Sequence, residues 1–245
     1  MQVPTVLLRS ALVLGLGVTL AGCDDTLRFD YAVEPPQKTL PKVVLETVAK
    51  EVGVPPDALS YGHIASLTSL DLSEVDRPQL GKHRFVWLEL FTGLKSLKLD
   101  LVYHWAKQGA NTGYGVEVDH PPKAAQLDAL GKLGQLETLS LTCNAVQDLE
   151  VLKPLAQLRE LTIETSAILD MEPLQGLKSL RVLRLGYVLE NNYRDGYGSS
   201  KHAHGDLSDL AGMTQLEVLD LSDANGGTVV DLGGLTNLRE LRVPP

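Results

Sequence analysis

Between residues 133 and 155 apolar side chains recur mostly three positions apart: Leu133, Leu136, Leu139, Leu141, Val146, Leu149, Leu152 and Leu155. On an α-helix, at about 100° per residue, each step of three turns the chain by about 300°. Five such steps carry the leucines around the whole cylinder and leave no single face to bury. One long amphipathic helix is therefore excluded. The same residues are satisfied if the chain coils about a common axis, each leucine turned inward at a different corner. A constant interval supports that geometry. The first leucine of each Leu-x-Leu-type pair falls at Leu70, Leu97, Leu139, Leu161, Leu183, Leu219 and Leu241, giving intervals of 27, 42, 22, 22, 36 and 22 residues. A fixed unit of 22 with insertions at three places is the signature of a solenoid, whose units bury their apolar faces against neighbouring units.

The unit from Leu133 to Lys153, with Asn144 at its turn, resembles the leucine-rich repeat. The 22-residue interval and short connectors are most similar to the internalin-type repeats of bacteria. The spacer Asp170-Met171-Glu172-Pro173-Leu174 and the run Asp206-Leu207-Ser208-Asp209-Leu210 resemble the return segments of that family, and the segment Ala65–Ser73 resembles its junction between cap and first repeat. The resemblance spans about residues 40 to 243. It implies an α/β-type solenoid: a right-handed coil of about seven strands forming a parallel sheet on the concave face, behind a short N-terminal capping helix. Later units depart from the pattern, with Ser166, Val188 and Ala224 at the asparagine position. A continuous asparagine ladder is thus not available to satisfy the buried turn amides.

Upstream of the repeats the chain changes character. Residues 1–22 carry one basic residue, Arg9, no acidic residue, and an apolar run from Ala11 to Ala21 that ends in Leu20-Ala21-Gly22-Cys23. Such a run is too short to span a bilayer core but suits the apolar segment of a signal peptide. The whole resembles a bacterial lipoprotein signal, which implies that Cys23 becomes an acylated first residue on the extracytoplasmic side of the cell envelope. Which membrane would hold it is not specified. Residues 23–38, with Pro35-Pro36, read as a flexible tether. Residues 39–64 read as a cap, with a helix over roughly Leu40–Val52 that turns Val44, Leu45, Val48 and Val52 to one face. Thr39 is placed to cap its start and Gly53 to stop it. Residues 65–245 hold the repeats.

Composition narrows the function. Formal net charge is −9, which gives no basic surface for nucleic acid. Two cysteines cannot staple a scaffold. With aromatics at 5%, the core is expected to be aliphatic. Alternation along the strands would turn Lys98, Asp100, Glu160, Thr162, Glu164 and Arg184 outward, among serines, threonines and Gly186, onto the face where partners of this family usually dock. Two insertions, near residues 102–126 and 187–205, hold five of the 7 Tyr, one of the 2 Trp and four of the 6 His. Tyr103, His104, Trp105, Tyr114, Tyr187, Tyr193 and Tyr197 are the candidate contacts there, because aromatic side chains offer large area at low entropic cost.

Catalysis has little support. His202 and His204 with Asp195 and Asp206 make only a weak metal spacing, and the repeat places no partner beside Cys143 that would activate it. Neither a metal nor a cofactor is expected. The sequence therefore points to a lipid-anchored envelope module that binds another protein. Two other classes stay open, a structural envelope component without specific ligand and a metal-dependent enzyme built on the insertions.

Overall fold

The computed structural model describes residues 36–75, 85–101, 127–143, 149–165, 171–186, 207–222 and 231–243. Its centre is one sheet of seven parallel strands in strict chain order. The strands are β1 (Ser69–Leu72), β2 (Ser96–Asp100), β3 (Thr138–Cys143), β4 (Glu160–Thr165), β5 (Val182–Gly186), β6 (Val218–Asp220) and β7 (Glu240–Arg242). The register aligns the marker leucines: Leu70 pairs with Leu97, Leu97 with Leu139, and so on through Leu161, Leu183, Leu219 and Leu241. Leu139, Leu161 and Leu183 are fully buried on neighbouring strands. The fold is a leucine-rich repeat solenoid whose sheet, among the described residues, does not close into a barrel.

The return segments explain the spacing of three. Short 3₁₀ helices cover Val86–Leu90, Asp128–Lys132, Glu150–Leu152, Glu172–Gly176 and Leu207–Gly212. A 3₁₀ helix has three residues per turn, so side chains at i and i+3 eclipse on one side. Here the inward residues bond one another through the backbone: Leu130 N–H donates to Leu127 C=O, Leu133 to Leu130 and Leu136 to Leu133, at 2.8, 3.0 and 2.9 Å. The same staircase links Leu149, Leu152, Leu155 and Leu158, and again Met171, Leu174, Leu177 and Leu180. One set of positions thus fills the core and satisfies its own amides. Side-chain amides tie successive coils on this side, Gln215 to Leu177 C=O at 3.1 Å and Asn237 to Thr214 C=O at 2.8 Å.

Three short helices precede the sheet: α1 (Pro36–Thr39), α2 (Lys42–Val52) and α3 (Tyr61–Ser66). Helix α2 lies against β1 and buries Val44, Leu45, Val48 and Ala49, closing that end of the core. Gly53 stops α2 with a left-handed backbone, φ 78°, as a helix-ending glycine does. Its start differs from expectation. Pro41 occupies the cap position without a side-chain cap, and the Thr39 hydroxyl instead donates to Pro36 C=O, because Pro36–Thr39 forms its own turn of helix. Helix α3 does carry a capping box, Ser60 with His63.

The core is also less purely aliphatic than composition suggests. Phe85, Trp87 and Phe91 are buried before β2, with Trp87 edge-on to both rings at centroid distances of 6.2 and 6.1 Å. Few aromatics overall does not mean few in one layer: these three are concentrated where the cap hands over to the coils. Among the described residues no helix is long and apolar enough to cross a membrane.

Candidate functional site

Each strand turns leucines into the core and the alternate residues outward. The register stacks those outward residues into rows running across the sheet. The middle row is Asp71, Lys98, Ser140, Thr162, Arg184, Asp220 and Arg242. On one side of it runs Ser69, Ser96, Thr138, Glu160, Val182, Val218 and Glu240; on the other, Asp100, Thr142, Glu164 and Gly186 stand side by side. The structure therefore brings Lys98, Asp100, Glu160, Thr162, Glu164 and Arg184 onto one face, on strands β2, β4 and β5. Gly186 departs from expectation in being buried, since a glycine projects no side chain into solvent.

Charge on this face is distributed towards the flanks. On β3 the outward residues are Thr138, Ser140 and Thr142, all hydroxyls. On the β4 side of that strip Arg184 lies 3.7 Å from Glu160, and Thr142 Oγ1 donates to Glu164 at 3.4 Å. Near either end of the sheet one motif recurs. Asp71 accepts from the Ser73 amide and hydroxyl at 2.9 and 2.6 Å, and Asp220 accepts from the Ser222 amide and hydroxyl at 3.0 and 2.7 Å. Each aspartate also faces a cation on the next strand, Lys98 at 3.8 Å and Arg242 at 3.2 Å. At Asp220 the Ser222 hydroxyl, with its amide and Arg242 in support, holds the carboxyl below its ordinary value against partial burial. At Asp71 partial burial opposes ionisation, yet Ser73 and Lys98 together outweigh it and the carboxyl is again lowered.

A further row escaped sequence reasoning. The residue two before each marker leucine from β2 onward is charged: Lys95, Glu137, Arg159, Arg181, Glu217 and Arg239. Its carbonyl receives two N–H groups from the next coil, as when Glu137 and Thr138 both donate to Lys95 C=O at 2.7 and 2.9 Å. That stacks the side chains along the edge where the strands begin. Glu137 bridges Lys95 at 2.9 Å and Arg159 at 3.9 Å, and Glu217 bridges Arg181 at 3.8 Å and Arg239 at 3.1 Å. Lys95, as the first cause, holds the Glu137 carboxyl below its ordinary value. The signal was present in the sequence as a charge at a fixed offset from each marker.

The remaining candidates lie outside the described residues: Cys23, Tyr103, His104, Trp105, Tyr114, Tyr187, Tyr193, Tyr197, His202 and His204. The roots of the two insertions are described. One follows β2 and the other β5, at the same edge of the sheet with β3 and β4 between them. Three strand spacings of about 4.8 Å put those roots about 14 Å apart. Among the described residues no group of His, Cys, Asp or Glu is arranged to hold a metal ion.

The chain is similar in structure to internalin C2 from Listeria monocytogenes, at 18% identity with a TM-score of 0.51, covering 86% of this chain and 89% of that one. A second internalin from the same organism matches at 16% identity with a TM-score of 0.38, covering 87% of this chain and 79% of that one. A leucine-rich repeat protein of Leptospira interrogans matches at 13% identity with a TM-score of 0.24, covering 64% of this chain and 50% of that one. The first of these establishes the shared fold; the lower scores add no weight. No protein-family profile and no curated protein matches the sequence.

Proposed function

We propose that this solenoid is a protein-binding module whose outer sheet face, between the roots of the two insertions, receives the partner. The observation that carries the reading is the continuity of that face. Outward residues from seven strands stand in register on a leucine core, so their positions are fixed before any partner arrives. Preorganisation of this kind lowers the entropic cost of association. The strip of Thr138, Ser140, Thr142 and Thr162 offers hydroxyls able to donate or accept, while Lys98, Asp100, Glu160, Glu164 and Arg184 supply charge on both sides. The aromatic residues of the insertions, Trp105 and Tyr193 among them, are assigned to the rim of the same site. No covalent chemistry is assigned to it.

The module is proposed to stand at the cell envelope, tethered through lipid on Cys23. The Leu20-Ala21-Gly22-Cys23 run supports this, and several acyl chains at about 0.8 kcal/mol per buried methylene would make the attachment durable. Envelope extracts passed over the immobilised protein test the binding site. Ser140→Arg and Thr162→Arg place bulk on the face without touching the core, and each should abolish capture while leaving the melting temperature unchanged. Replacing Trp105 and Tyr193 by Ala should do the same. Undiminished capture by all of these variants overturns the assignment. Mass spectrometry of the N-terminal peptide, wild type against Cys23→Ser, tests the anchor.

A further inference from the structure

The last strand differs from the other six in what it leaves uncovered. The amides of Arg239, just before β7, and of Glu240 donate to Glu217 C=O at 2.8 and 3.1 Å, and the Arg242 carbonyl accepts from Leu221 N–H at 2.8 Å. Backbone groups alternate sides along a strand, so the Leu241 N–H and C=O point away from β6. No described residue pairs with them. The Leu241 side chain continues the row of core leucines but is 47% exposed, and Val243 is 58% exposed. Both ingredients of a self-pairing edge, unpaired backbone and uncovered apolar side chains, therefore coincide here.

The charges say what fits. Glu240 and Arg242 flank Leu241 and touch each other at 2.6 Å. A second copy of the same strand, run antiparallel about a two-fold axis through Leu241, sets each Glu240 opposite the Arg242 of the other copy. The two Leu241 residues then exchange two backbone hydrogen bonds, and their side chains fall on the same face of the joined sheet. Opposite charges directly across an antiparallel pair stabilise it, and the match is self-complementary, as a two-fold interface requires. The other end of the solenoid is closed by α2 against β1, which blocks head-to-tail stacking into filaments.

We infer that β7 is a self-association edge, at which two copies of this chain join antiparallel into one sheet with Leu241 on the axis. The inference is independent of the partner face between the insertions. The test uses two differently tagged copies of the full chain in mild detergent, followed by analytical ultracentrifugation and co-purification. The wild-type chain should show a concentration-dependent dimer. Glu240→Arg alone and Arg242→Glu alone each set like charges across the axis and should weaken that dimer by about tenfold or more. Mixed in equal amounts, the two variants should pair with each other, because one copy then presents only cations and the other only anions. A wild-type chain that stays monomeric at every concentration, its edge covered by another segment of the same chain, overturns the inference. So does a dimer indifferent to both substitutions, or a mixture that fails to pair while both variants melt as the wild type does.

Discussion

The two ends of the sheet are built from the same local pattern and meet different fates. In β1 the segment Ser69-Leu70-Asp71-Leu72 has helix α2 behind it, and its marker Leu70 is 3% exposed. In β7 the segment Glu240-Leu241-Arg242 has a coil on one side only, and its leucine stands half in solvent. Sequence within the repeat decides which residues point inward. Burial is conferred by whatever lies next in the stack. A leucine at a marker position is thus a promise of core that its neighbour has to complete, and β1 and β7 measure how much that neighbour is worth.

The largest contrast should come from a buried charge. Val48→Asp forces a carboxylate into the seam between α2 and the sheet and should cost about 4 kcal/mol or more, whereas Leu241→Asp should cost about 1 kcal/mol or less. Urea unfolding of both variants checks this, and equal losses would show that β7 is covered after all. Truncation gives a smaller version of the same contrast. Leu70→Ala should lose about 3 kcal/mol, Leu241→Ala about 1 kcal/mol or less.

Glycines at close approaches come next. A Cβ on Gly93 would meet the Ala65 carbonyl, and one on Gly234 would meet the Ala211 carbonyl, each in the adjoining turn of chain. Gly93→Ala should cost about 2 kcal/mol because the cap and its coil cannot part, while Gly234→Ala should cost less because the last coil can shift. Thermal melting of the pair discriminates them. Smallest of all is the acid limb. Asp71 and Asp220 both have lowered carboxyls, so the stability they contribute is whole above their ordinary values near pH 4. It is lost as pH falls through the lowered folded values. Asp71→Asn and Asp220→Asn should each flatten that fall, with Asp220 the larger change because it is the more covered carboxylate, and stability measured between about pH 5 and pH 2 reads the difference.

Much of this architecture was legible because leucines do two jobs at once. Their interval fixed the strands and their register, and alternation within each strand fixed which side faces out. The step of three in the return segments was visible but its cause was not: only the backbone reveals that Leu127, Leu130, Leu133 and Leu136 are joined by successive i to i−3 hydrogen bonds. The charged row from Lys95 to Arg239 was missed because its partners are brought together only by stacking, Lys95 and Glu137 across the longest interval in the chain. Local rules alone also misplace the start of α2, since Pro41 takes the cap position and Thr39 ends the preceding turn of helix, its hydroxyl donating to Pro36 C=O. The aromatic candidates in the insertions lie beyond the described residues, so the site they would complete is read from its roots.

The register has one more consequence. Leu97 lies beside Leu139 and Leu183 beside Leu219 in the same way that Leu139 lies beside Leu161, although different lengths of chain separate each pair. Distance along the polypeptide is thereby uncoupled from distance across the sheet. The chain that leaves after β2 or β5 returns to the same register as the uninterrupted units do. Such a scaffold lets what it displays diverge quickly while what holds it up stays still.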